Sequence, residues 1–273
     1  MIPLNLCATA TPQNGLLAAL NAVEWERVRK FFKPVFMPID DVLYEPGRNV
    51  SYINFPTTSV ISISSVMTDG RADAITLLGS DGFSGVEAIL GGNSCPCRAK
   101  VISEGWAYRV QRALLNQEWG QGGAMRSLLL RYAQSYLTQV AQTAVCNRHH
   151  SIDRQLCRWL LMLLDRHASS DLALTHERIA DLMGVRRQSI TTAAYKLQRA
   201  GFIRYRRGHI HAVDRNGLEG HACECYAVSK RETDRLLAIS QQGIGATAMP
   251  SAVDRARIER PIYASMHASP TVA

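Results

Sequence analysis

Between Asp181 and Asp214 the chain carries seven Lys or Arg, two His and no carboxylate, although 23 Asp and Glu are spread over its 273 residues. A solvated surface normally mixes both signs. A one-sign window of this length therefore points to a polyanionic partner. The window is also patterned. Thr175 can cap a helix over "HERIADLM", whose Ile179, Leu182 and Met183 share a face. Gly184 breaks that helix after two turns. "RRQSITTAAYKLQRAG" gives a second helix with Ile190, Ala194 and Leu197 inward and Gly201 as its stop. A short helix, a glycine turn and a second amphipathic helix make a helix-turn-helix. In "FIRYRRGHIHAV", Ile203 and Tyr205 alternate with Arg, Arg207-Gly208 can turn, and Ile210 and Ala212 alternate with His, which predicts a β-hairpin wing.

The exposed face of the second helix carries Arg187, Gln188, Ser189, Thr192 and Lys196. The first residues of such a helix reach base edges in a major groove. Arg pairs with guanine O6 and N7, Gln with adenine, and Ser or Thr is permissive. Thr175, Lys196, Arg199, Arg204, Arg206 and Arg207 are placed for phosphates, which add affinity but little sequence information. The competing reading is a winged helix used for protein contacts, with a solvated basic face; the missing acids argue against it.

The rest of the chain divides by period. A length of 273 residues allows two domains. Residues 1–13 read as a loose leader. Apolar Leu16, Leu20, Val23 and Phe31 predict an amphipathic helix over 14–32. From Phe36 to about Arg112, turn signals such as "EPGR", "TDGR" and "SEGW" separate short Val-, Ile- and Thr-rich runs, the mark of a β-sandwich or barrel. Asp69-Gly70 should join two strands as a hairpin. Over Met125–Cys146, Leu130, Ala133, Leu137, Val140 and Ala144 recur at 3-4 spacing, a heptad seam that predicts dimerisation; an ordinary core-facing helix is the alternative. Ser151 should cap a helix whose Ile152, Leu156, Trp159, Leu160 and Leu163 face a core. Residues 227–273 read as a mobile extension.

Other chemistries find little support. All eight His lie at position 149 or later, so a metal-dependent enzyme site inside the β domain is not expected, nor a haem held there by His. Only Cys7 precedes residue 95, which leaves an N-terminal iron–sulfur sensor without its ligands. Cys95/Cys97 and Cys223/Cys225, the second pair near His221, could each be half of a metal or redox site. Neither makes a four-ligand set alone, and no metal or cofactor is expected. His149 and His150 read as hinge or interdomain contacts. No nucleophile elbow, phosphate loop or HExxH run is present. No apolar run reaches the length of a membrane span. The first basic residue is Arg27, so a signal peptide is not expected. The seven scattered Cys suit a reducing cytoplasm.

"LTHERIADLMGVRRQSITTAAYKLQRAGFIRYRRGHIHAVDRNGLE" resembles the C-terminal domain of Crp–Fnr bacterial transcription regulators. The turn-rich first half resembles that family's cyclic-nucleotide-binding-like jelly roll, and the heptad helix resembles its dimer helix. The resemblance implies an α+β fold: a jelly-roll sensor over 14–115, a dimerisation helix and hinge over 116–150, and a winged helix-turn-helix over 151–226. It also implies a homodimer on a pseudo-palindromic double-stranded operator, in contact with RNA polymerase. Arg186, Arg187, Gln188 and Ser189 take the places of the family's base-reading Ser/Arg-Arg-Glu-Thr-like run. Gln188 replaces its Glu and Thr192 a later Arg, so the operator should differ.

The sensor departs further. Cyclic-AMP binders carry Gly-Glu-x-Ala-Leu-Leu followed by Arg-Ser/Thr-Ala-x-Val. In "GVEAILGGNSCPCRAKV" the pocket would fall on Gly85, Val86, Glu87, Cys97, Arg98 and Ala99, but Val86 takes the Glu place and Cys97 the Arg place. Glu87 and Arg98 are each one residue late, and one residue in a strand reverses the face. Cyclic AMP is therefore not expected. The expectation is a non-enzymatic, signal-gated regulator; the alternative is a constitutive or architectural DNA binder.

Overall fold

In the computed structural model, which describes residues 12–120, 122–167 and 170–241, the stretch 14–32 is two short helices and not one. These are α1 (Gly15–Ala18) and α2 (Ala22–Val28), followed by a 3-10 turn over Arg29–Phe31. Asn21 causes the break: its side chain accepts from the Glu24 amide and starts a fresh helix. Val23, expected inward, is 80% exposed, while Trp25 and Val28 are buried. Asn14 caps α1 and also donates to the carbonyls of Pro56 and Gly82 at 2.8 and 2.9 Å, seating the segment on the sheet domain. Of the expected leader, residues 1–11 lie outside the described residues.

The β region forms two antiparallel sheets. Its strands are β1 (Lys33–Met37), β2 (Val42–Tyr44), β3 (Tyr52–Pro56), β4 (Val60–Val66), β5 (Ala72–Leu78), β6 (Cys97–Ser103) and β7 (Gly105–Gln111), with the short helix α3 (Val86–Ile89) between β5 and β6. One sheet has the order β1-β7-β3, the other β2-β6-β4-β5. The hairpin at Asp69-Gly70 joins β4 to β5 as the turn signal predicted, with Gly70 at φ +87°. Ile53, Phe55, Ile61, Ile63, Ala99, Val101 and Val110 fill the interior.

After α4 (Arg112–Gly120) comes the long α5 (Gly123–His149). Its inner side packs on the sandwich, with the Tyr132 ring 4.8 Å from that of Phe83. The heptad positions split. Leu130 and Leu137 are 41% and 58% exposed, Ala144 is exposed and Val140 half-buried. Ala133, expected on the same seam, is buried in the sandwich core, because at its turn α5 is still flanked by the sheet domain.

The C-terminal half consists of α6 (Ile152–Leu164), β8 (Asp171–Leu172), α7 (His176–Met183), α8 (Arg187–Arg199), β9 (Ile203–Arg206), β10 (His209–Ala212), α9 (Arg215–His221) and α10 (Glu224–Gln241). Leu156, Leu160, Ile179, Ile190, Leu197, Ile203 and Ile210 share one core. The expectation of a mobile extension is corrected over 227–241. Those residues continue α10, which lies along α5 with Leu236 buried and Ser135 Oγ 2.5 Å from Thr233 Oγ1. Leu236 and Leu237 supply apolar contacts there, and the Ser135 and Thr233 hydroxyls meet between the two helices. Residues 242–273 lie outside the described residues. No helix among the described residues is long and apolar enough to cross a membrane.

Candidate nucleic-acid interface

Two helix ends and one hairpin set this surface. Thr175 accepts from the Arg178 amide at 3.2 Å and starts α7, as predicted. Gly184 ends α7 at φ +64°, a conformation L side chains rarely adopt. It also lies against Asp73 of β5; a Cβ there would sit 2.3 Å from the carboxylate. Ile190, Ala194 and Leu197 anchor α8 in the core, which leaves its opposite face to solvent.

On that face Arg186, Arg187, Gln188 and Thr192 are exposed and Ser189 is half-buried. Thr192 donates to the Gln188 carbonyl at 3.0 Å, so its hydroxyl is tied to the helix backbone. Tyr195, which no sequence pattern singled out, is 61% exposed, with the Arg199 guanidinium 6.0 Å from its ring centre. Arg204 and Arg206 point outward from β9, paired across the hairpin with His211 and His209. Arg207 and Gly208 both have positive φ, which suits the two-residue turn of a right-twisted hairpin. The basic window is acid-free in sequence but not in space. Asp171 lies 3.3 Å from His209, and Asp153 lies 3.7 Å from Lys196.

His176 knits the surface together, and no local pattern announces it. Its ring stacks on Tyr205 at 3.9 Å and its Nδ1 lies 3.2 Å from Thr191 Oγ1. Burial first, and the nearby Arg187 charge second, hold its pKa below the usual histidine value.

The sheet domain docks directly on this head. Val60, Ala74 and Leu77 belong to the same apolar cluster as Ile179, Ala180 and Met183. Beside them Asp40, in the left-handed region at φ +69°, bridges Lys100 of β6 and Arg178 of α7. Hydrogen bonds from Lys100 and Arg178, against some desolvation, hold the Asp40 carboxyl below its usual value. A cleft of about 770 Å³ runs along this junction, lined by Arg71, Arg98, Lys100 and Arg186 among others.

Inside the sandwich the expected pocket residues separate by face. Val86 and Ala99 are buried; Gly85 packs so tightly on Ile53 that a Cβ would come within 2.7 Å of its side chain. Glu87 has a buried carboxylate oxygen without a hydrogen-bond partner, as does the Tyr44 hydroxyl, whose pKa burial and then Glu87 push well up. Cys97 is half-buried, its amide 3.3 Å from Cys95 Sγ. Arg98 is on the other face, pairing with Glu45 at 2.8 Å and lining the junction cleft. Its register opposite Ser64, between Cys97 and Ala99, fixes that direction.

A second cluster lies where α5 meets α10. Cys146, His150, Cys223 and Cys225 place one ligand atom each within 4.8 Å of one another. Cys146 Sγ and Cys223 Sγ lie 3.4 Å apart in a hydrogen bond that holds the Cys223 thiol below its ordinary value, while burial pushes Cys225 up. His221, named with this pair from sequence, turns away to Asp153 at 3.2 Å. Cys146 and His150 stand 77 and 75 residues from their partners, beyond any local pattern.

Residues 154–220 match the Crp-like helix-turn-helix domain family. FixK2 from Bradyrhizobium japonicum superposes with a TM-score of 0.59 at 17% identity, over 70% of this chain and 98% of that one. The chain carries the Crp/Fnr fold. A CRP-family transcriptional regulator from Thermus thermophilus gives 0.58 at 18% identity, over 69% of this chain and 96% of its own. The c-di-GMP responsive global regulator CLP of Xanthomonas campestris gives 0.55 at 16%, over 70% and 99%. A comparison with curated protein sequences gives no match. Within this Crp/Fnr fold the sandwich is the cyclic-nucleotide-binding-like unit and α6–β10 form the winged helix-turn-helix.

Proposed function

We propose that this chain is a homodimeric, cytoplasmic transcription regulator that binds a specific double-stranded operator and contacts RNA polymerase. The observation that carries this reading is the free N-terminal face of α8, with Arg186, Arg187, Gln188 and Thr192 in solvent on a core-anchored helix-turn-helix. Leu130, Leu137 and Ala144 offer an exposed apolar stripe for a second copy, which would set two α8 helices about one DNA turn, roughly 34 Å, apart. A signal in the sandwich would act through the β5–α7 junction, where Asp40–Arg178 and the shared apolar cluster join sensor to head. Cyclic AMP does not suit that role, since Arg98 faces away from the interior and a buried phosphate would lack its cation. The reading is of a regulator without catalytic activity.

The test is competition between a genomic operator, found by selection on fragmented DNA, and random duplex. Preference for the operator by about 10³ or more supports sequence-specific regulation. A ratio near one sinks it and leaves an architectural binder.

A further inference from the structure

We propose that Cys146, His150, Cys223 and Cys225 bind one zinc ion that fastens the C-terminal helix to the end of α5. Three thiolates and one imidazole are a recognised structural zinc set. The four ligand atoms already lie within 4.8 Å of one another, with Cys146 Sγ 3.4 Å from Cys223 Sγ and Cys225 Sγ 3.7 Å from His150 Nδ1. Tetrahedral zinc, with bonds of about 2.3 Å to sulfur and about 2.0 Å to nitrogen, sets neighbouring ligands roughly 3.5–3.8 Å apart. Small side-chain rotations suffice. A four-iron cluster would need its ligand sulfurs spread much wider than one ion does.

The surroundings complete the site. His150 Nδ1 faces the sulfurs while Nε2 lies 3.3 Å from the Glu224 carboxylate, the outer-shell partner that orients a ligating imidazole. Gln155 Nε2 donates to the His150 carbonyl at 2.8 Å and fixes the end of α5. The charge also balances. Zinc with three thiolates carries one net negative charge, and binding would release the thiol protons to solvent. Arg158 is completely buried, and Cys146, Cys223 and Cys225 lie within its electrostatic reach. Its Nη2 bonds Thr143 Oγ1 at 2.9 Å, but Nε and Nη1 have no hydrogen-bond partner. A buried guanidinium so placed is compensated beside a zinc–thiolate anion.

This site is independent of DNA reading, so its test uses no DNA. The full-length chain, purified under reductant without chelator, should contain about one zinc ion per chain. Its X-ray absorption should fit three sulfurs at about 2.3 Å and one nitrogen at about 2.0 Å. Cobalt exchanged into the site should give the strong visible absorption of tetrahedral thiolate ligation. Cys225→Ser and His150→Ala should lose the metal, and Cys157→Ala, a buried thiol outside the set, should keep it. Should the variants fail to fold, stripping zinc from the unaltered chain with a thiol-blocking mercurial and a chelator should open α10 to trypsin at Lys230 and Arg231. A reduced chain that takes up neither zinc nor cobalt overturns the proposal. So does metal lost on Cys157→Ala, or an unaltered chain found with a Cys146–Cys223 disulfide in place of metal.

Discussion

The solvent face of α8 and the interior of the sandwich treat their polar groups in opposite ways. On α8 Arg187, Gln188 and Thr192 stand in water, and Thr191 and Thr192 commit their hydroxyls to carbonyls one turn back. In the sandwich, Glu87 and Tyr44 are turned inward and leave buried oxygens without partners. The sandwich interior retains buried polar atoms without partners.

That contrast can be broken or sharpened by measurement, beginning with the largest effect. Phe55 meets Phe32 edge to face and stacks on Phe83 in the sandwich core. Phe55→Ala should cost about 3–5 kcal/mol in denaturant unfolding while the folded protein keeps its operator affinity. A parallel loss of DNA binding would mean the head does not stand apart from the sensor. Arg187→Ala should cost about 1–3 kcal/mol at one operator position, read on a panel of single-base variants; equal weakening on every sequence would move Arg187 to the phosphates. Thr175→Ala removes the cap of α7 and should lower stability by about 1 kcal/mol, measured by thermal unfolding.

A fourth measurement is a pH profile. The His176 pKa is depressed in the fold, so its neutral form is favoured there. The stability this represents is fully present above the unfolded value of about 6.5 and is lost as pH falls through the folded value. Thermal stability should fall between pH 7 and 5, and His176→Phe, which keeps the stack on Tyr205, should flatten the decline. The smallest effect belongs to the sensor: Tyr44→Phe removes a buried hydroxyl that bonds nothing, so stability should hold or rise slightly. A loss above about 1 kcal/mol would show that the hydroxyl has a partner in solution.

The same contrast explains what could be read in advance. Thr175, Gly184, Ile190, Gly201 and Arg207-Gly208 act on neighbours a few residues away, so the helix-turn-helix and its wing were legible in the sequence. The long helix was legible too, but not that Ala133 faces the sandwich, because periodicity cannot say which of two apolar sides meets which neighbour. The split at Asn21 is hidden in the sequence because the cap competes with a clear helical period. The direction of Arg98 followed from counting alternation along β6. Contacts between distant segments left no mark in the sequence: Asp40 with Arg178, His176 on Tyr205, and the α10 packing that brings Cys223 to Cys146.

The glycine at the α7–α8 turn has a use beyond its turn. At position 184 only a hydrogen lies between the head and the Asp73 carboxylate, so a larger substituent there must push that side chain aside. Gly184→Ala in an Asp73→Ala background incurs the conformational cost of the turn alone. In the unaltered background it must also displace the carboxylate. The difference between the two would put a free energy on interdomain closeness, with every side chain on the exposed face of α8 left in place.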